Sequence, residues 1–201
     1  MRLLITRHGQ TRENIDGTIQ GKNHGNINEM GFKEISSLIE RLKKEKIDLI
    51  ISSDIPRCKL TTQEIIKKIN TPVEYSELIR EKDNGELVGK KHQEIDWDDL
   101  GDDFETRKAP NGENLQEVLE RGRKFFNGLI DKYGNTNKTI LIVSHGAFLK
   151  VFIGNLLGMS LYNSIFKLFI EHCSLTEIEI DEKYKTGYQF KFINEKNYPG
   201  L

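Results

Sequence analysis

Leu3-Leu4-Ile5-Thr6-Arg7-His8-Gly9 and Ile140-Leu141-Ile142-Val143-Ser144-His145-Gly146 are two runs of one shape. Each is apolar without alternation, as in a strand buried on both faces of a parallel sheet, and each stops at histidine-glycine. Glycine lets the backbone turn sharply and lets a ligand approach closely. As neighbouring parallel strands, the runs deliver both imidazoles to one carboxyl edge, the edge where open α/β sheets bind ligands. Paired histidines beside Arg7 suit the capture and transfer of an anionic group, phosphoryl first among them.

Working outward, strands and helices alternate. A loop rich in Gly, Asn and Gln runs from Gly9 to about Asn28, and a helix follows with Phe32, Ile35, Leu38, Ile39 and Leu42 on one face. Leu49-Ile50-Ile51 reads as a second strand ending at Ser52-Ser53-Asp54, and the next helix carries Pro56 in its first turn and runs to about Ile69. Val73-Glu74-Tyr75 is a short strand. Residues 80–112 are irregular and polar, with one short helix near Gln93–Asp99. Asn114 to Tyr133 is a long amphipathic helix, 139–144 a strand, and Ala147 to about Leu157 a helix. Two strands near Leu175–Ile180 and Tyr188–Ile193 close the pattern. The alternation predicts an α/β fold, a three-layer αβα sandwich on a mainly parallel sheet. A single domain spans 1–201, with a substrate-side insertion at about 80–112.

Composition sets the outer bounds. A 201-residue chain can bury one sizeable core, and a formal charge of -1 gives no electrostatic reason to expect nucleic acid or an anionic membrane as partner. The first strand starts almost at once, leaving no room for a signal peptide, and no apolar stretch is long enough to span a bilayer. Cys58 and Cys173 have no metal or redox spacing and read as small, half-buried apolar residues, so a cytoplasmic location is expected. No histidine pair has metal-ligand spacing, and neither metal nor cofactor is expected.

The chemistry gathers at strand ends. Arg7, His8, Asn14, Gln20 and Gly21 make a dense polar loop, and Arg57 comes from the first turn of the helix after the second strand. An arginine so near a helix start is unfavourably placed for the helix dipole, which argues for a task other than surface charge. Guanidinium forks match two phosphate oxygens at once. Arg7, Arg57, His8 and His145 together wrap one tetrahedral anion. A neutral imidazole attacks phosphorus provided its far nitrogen keeps the proton, and a loop carbonyl is the natural holder of it. The leaving alkoxide needs an acid, and Glu81 in Leu78-Ile79-Arg80-Glu81 is the suggestive carboxyl.

These residues resemble the histidine phosphatase superfamily, also called phosphoglycerate mutase-like. Arg7-His8-Gly9 with Thr11 and Asn14 matches its R-H-G-x-T-x-x-N signature, and Gln20-Gly21 with Asn28-Glu29-Met30-Gly31 its next stretch. Ser52-Ser53 with Arg57 and Thr61-Thr62, Leu78-Ile79-Arg80-Glu81, Pro110-Asn111-Gly112-Glu113-Asn114 and Val143-Ser144-His145-Gly146 follow in family order. The resemblance implies that His8 becomes a phosphohistidine and that Arg7, Arg57 and His145 bind the phosphoryl oxygens. It further implies hydrogen bonds from Asn14 and the Gly146 amide, substrate contacts at Gln20 and Gly21, and Glu81 as proton donor and then base. The activity implied is metal-independent hydrolysis of small phosphomonoesters. The alternatives are a 2,3-bisphosphoglycerate-dependent phosphoglycerate mutase and a non-catalytic phosphate-binding protein. Mutases of the family tend to be longer, with an R-H-Y-G-type motif after the acid. Here the stretch is Arg80-Glu81-Lys82-Asp83-Asn84-Gly85, which favours the phosphatase.

Other residues carry bland readings. His24, His92 and His172 read as structural, and the acidic run Asp96 to Asp103 as a solvated loop. His24, Asn26, Val88 and His172 depart from the residues usual in the family.

Overall fold

The computed structural model describes residues 1–23 and 25–196. The uninterrupted apolar runs become β1 (Arg2–Arg7) and β4 (Thr139–Ser144), and they pair in parallel with Arg7 opposite Ser144. Around them lie β2 (Leu49–Ser53), β3 (Val73–Ser76), β5 (Leu175–Ile180) and β6 (Tyr188–Glu195) in the order β3-β2-β4-β1-β5-β6. The β3-β2-β4-β1 part is parallel, while β5 and β6 are antiparallel additions.

Alternate residues of the central strands enter opposite layers. Leu4, Ile50, Leu141 and Val143 pack under α2 (Glu29–Leu42) and α3 (Pro56–Ile66) through Ile35, Leu38, Leu42 and Ile65. Leu3, Ile5, Ile140 and Ile142 pack under α4 (Leu115–Tyr133) and α5 (Gly146–Leu156) through Val118, Phe125, Phe148 and Phe152. Burial on both faces is why these strands carry no polar alternation. Asn28 and Asn114 cap α2 and α4 by accepting from Gly31 and Glu117 N–H groups, which sets both starts.

Several expectations need correction. Phe32 is exposed, because the buried stripe of α2 runs through Gly31 and Ile35 instead. The α3 helix ends at Ile66, three residues early. Two short helices, α1 (Arg12–Asp16) and α6 (Leu161–Lys167), have no counterpart in the sequence pattern. They are too brief for a periodic signal. Between β3 and α4 the insertion holds 3₁₀ turns at Glu77–Ile79, Gly85–Leu87, His92–Glu94 and Asp98–Leu100 in place of one helix near 93–99. Cys58 and Cys173 are fully buried, not half-buried, since each faces the sheet from the α2/α3 layer. No described helix is long and apolar enough to cross a membrane.

Candidate active site

His8 leaves β1 with its N–H bonded to the Ser144 carbonyl at 3.0 Å, so the two strand ends stay in step. The rings of His8 and His145 lie edge to face, 5.3 Å apart, and both side chains are buried. His8 Nδ1 is 2.8 Å from the Gly9 carbonyl oxygen. A carbonyl can only accept, so Nδ1 holds the proton and Nε2 keeps its lone pair. Arg57 Nε donates to that lone pair at 3.1 Å. Burial holds the His8 pKa well below the ordinary imidazole range, with Arg57, His145, Arg7 and His172 adding to the effect.

Arg57 is itself fixed by the loop: Nη1 donates to the Asn23 carbonyl at 2.8 Å and Nη2 to that of Gly21 at 2.9 Å. Gly21 has φ 51°, and a Cβ there would meet Val88 Cγ2 at 2.7 Å, so this turn requires glycine. Arg7 Nη1 donates to the Ile170 carbonyl at 3.0 Å, and Arg7 Nε is buried with no hydrogen-bond partner among the described residues. A Cβ on Gly146 would stand 3.1 Å from Arg7 Cζ, so the glycine admits the guanidinium against the start of α5. The protein partners of both guanidinium groups are neutral: backbone carbonyls and an imidazole. Desolvation by burial lowers the pKa of each arginine. Buried cations whose partners among the described residues are neutral acceptors, one with an orphaned donor, form a site for an anion.

His145 caps this arrangement from β4. Its Nε2 lies 2.8 Å from the Ser53 hydroxyl and 3.3 Å from Cys58 Sγ. Asn14 is oriented by the Thr11 N–H, which donates to Oδ1 at 3.1 Å, and by His172 Nε2 at 3.0 Å. That leaves the Nδ2 donors for the cavity Asn14 lines. Glu81 sits at the N-terminus of α5, its carboxyl accepting from Phe148 N–H at 3.0 Å, Lys82 N–H at 3.0 Å and Ala147 N–H at 3.2 Å. Its segment is tied down by Ser144 Oγ donating to the Ile79 carbonyl, by the Arg80–Asp54 pair, and by Arg121 bridging Glu113 and the Leu78 carbonyl.

Arg7, His8, Asn14, Gln20, Gly21, Arg57, Glu81 and Gly146 therefore line one cavity of about 600 Å³, with His145 behind His8. Sequence reading missed His172, which touches Asn14 and lies 5.7 Å from the His8 ring. It also missed Ser53 and Cys58 against His145, although both lie in a motif already quoted. His92 lines the mouth of the cavity. The run 96–103 is solvated through Asp98 but sends Trp97 and Leu100 into the cavity wall. His24 lies outside the described residues.

The sequence model for the histidine phosphatase superfamily (branch 1) matches residues 3–193. The chain belongs to the histidine phosphatase superfamily. This histidine phosphatase is 29% identical over 205 residues to a protein of Schizosaccharomyces pombe named a probable phosphatase, covering 96% of this chain and 92% of that one. It is 26% identical to the adenosylcobalamin/alpha-ribazole phosphatase of Escherichia coli, covering 92% and 93%. Among solved structures, the alpha-ribazole phosphatase of Shigella flexneri shares the fold at a TM-score of 0.86 and 23% identity, covering 100% of this chain and 99% of the other.

The buried imidazoles give the histidine phosphatase a pH signature. His8, His145 and His172 have folded pKa values below the ordinary 6.5, mainly through desolvation, with that of His172 pushed down to about 3. Between 6.5 and the folded values, the unfolded chain binds protons that the folded one does not. Stability is therefore full above pH 6.5 and falls as pH drops below it. Each group contributes a slope of about 1 kcal/mol per pH unit in that window. Urea midpoints at pH 7.5 and 5 should differ accordingly, and His172→Gln should narrow the gap.

Proposed function

We propose that this histidine phosphatase hydrolyses phosphomonoesters without a metal, through a phosphohistidine on His8. The observation that carries the reading is the pair of buried guanidinium groups, without carboxylate partners, beside an imidazole whose tautomer leaves Nε2 unprotonated. In the first step the His8 Nε2 lone pair bonds to phosphorus as the P–O(ester) bond breaks, and Glu81 delivers a proton to the departing alkoxide. Arg7, Arg57, His145, Asn14 and the Gly146 amide hold the phosphoryl oxygens, while Gln20 and Gly21 shape the loop over them. In the second step Glu81 takes a proton from water, whose oxygen displaces His8 and releases inorganic phosphate. Such transfer is chiefly positioning and charge stabilisation, which this set of residues supplies. The two cysteines, both buried and without metal or redox spacing, support a reducing, cytoplasmic setting.

The test is inorganic phosphate release from a panel of phosphomonoesters in chelator-treated buffer. Turnover that persists there supports the reading; no release from any ester overturns it, and an assay with bisphosphoglycerate and phosphoglycerate then tests the mutase alternative. Glu81→Gln should slow release from alkyl esters by about 10²–10⁴-fold, the usual range for a lost general acid. With 4-nitrophenyl phosphate, whose phenolate departs unaided, the loss should be far smaller in the first step. Equal losses on both esters in burst kinetics would remove Glu81 from the donor role.

A further inference from the structure

The reaction as proposed occupies only the inner end of the cavity. Its outer end is built by the 80–112 insertion and the short helix Leu161–Lys167, and aromatic groups dominate it. Trp97 stacks on His92 with ring centroids 5.6 Å apart and planes 26° from parallel. Phe104 packs on Phe166 at 5.2 Å, and Leu100 lines the same cavity. Phe166 is 60% exposed although it lines the cavity, so the protein leaves this apolar wall uncovered.

Cations line the cavity as well. Lys82 donates to Asn84 Oδ1 at 3.1 Å, and Lys150, one helical turn beyond Gly146, donates to the Ile165 carbonyl at 2.9 Å, beside Phe166. Arg107 donates to Asp98 at 3.0 Å and lies over the Phe104 ring. A flat ring would find the aromatic side chains of Trp97, Phe104 and Phe166 along the cavity. A cavity of about 600 Å³ is also in the range that encloses a molecule of several rings, well beyond a three-carbon acid.

We infer that the substrate is a phosphomonoester whose alcohol carries a planar aromatic or heteroaromatic ring, held against the Trp97, Phe104 and Phe166 side chains that line the cavity. This rests on the phosphatase reading above and specifies its leaving group. Stacking of a ring on an aromatic side chain changes affinity by about 10–100-fold.

The experiment compares esters matched in the alcohol that leaves: adenosine 5′-monophosphate against ribose 5-phosphate, and 2-phenylethyl phosphate against ethyl phosphate. In the intact protein the ring-bearing member of each pair should have kcat/KM about 10–100-fold higher. Trp97→Ala should collapse that ratio toward one while leaving the ringless esters within about threefold, and Trp97→Phe should retain most of it. Phe104→Ala gives an independent check should Trp97→Ala fold poorly. Equal kcat/KM within both pairs, or a Trp97→Ala loss shared equally by ring-bearing and ringless esters, overturns the inference and leaves the phosphatase standing. Release from none of the four overturns both.

Discussion

His8→Ala is expected to lower metal-free phosphate release on the order of 10⁴-fold or more, the scale seen when a covalent nucleophile is removed. The size of the effect follows from how narrowly the site prepares this one atom. The Gly9 carbonyl takes the Nδ1 proton, burial keeps the ring neutral, and Arg57 Nε points at the Nε2 lone pair. No neighbouring group can substitute. His145 Nε2 is engaged by Ser53, His172 Nε2 by Asn14, and burial pushes the Cys58 thiol far up its scale, so it stays protonated. Rapid acid-free quenching with ³²P-labelled ester should leave label on the intact protein and none on the variant. Residual turnover within tenfold of the intact protein would show that water attacks directly.

The same preparation explains why activity should not fade where a free histidine protonates. With the His8 pKa well below 6.5, its neutral form persists through mildly acidic pH. The acid limb of kcat/KM that reports this ring therefore belongs below the ordinary imidazole range.

The inner site was legible in the sequence because each of its parts ends a regular element. An apolar run that stops at His-Gly gives both the strand and the residue it presents, so β1, β4, His8 and His145 come from one pattern. Arg57 follows from a proline-led helix after β2. The outer site was not legible for the opposite reason. Trp97 and Leu100 sit in a run of aspartates whose charge dominates the pattern, and 3₁₀ turns have no periodicity that separates an inward face from a solvated one. His172 belongs to no quoted motif. A single parallel bridge between Arg7 and His172, just before β5, brings its ring to Asn14, a contact 158 residues distant in the chain. The position departs from the usual family residue, and only the fold shows that the departure falls beside His8.

Arg57→Lys should lower kcat/KM about 10²–10³-fold although the charge is kept. In the structure three Arg57 N–H bonds are committed, to His8 Nε2 and to the Asn23 and Gly21 carbonyls. The two loop carbonyls aim the guanidinium plane. The bond to His8 occupies the lone pair that must attack, so an arriving phosphoryl group has to take over the Nε donor as Nε2 turns to phosphorus. That exchange replaces one acceptor by another, leaving no buried N–H orphaned, and it places charge where the transition state gathers it. Lysine offers three donors on one rotating nitrogen and cannot hold both carbonyls in this plane while bonding the phosphoryl group. The substitution should also raise the inhibition constant of inorganic phosphate. The fold is expected to survive, since lysine keeps the charge and most of the buried aliphatic stem of Arg57 at the start of α3. Thermal unfolding of the variant checks this, and added guanidinium should restore part of the rate. An Arg57→Lys protein that unfolds normally yet keeps kcat/KM within threefold would show that charge alone suffices, and the planar fork would lose its place in the mechanism.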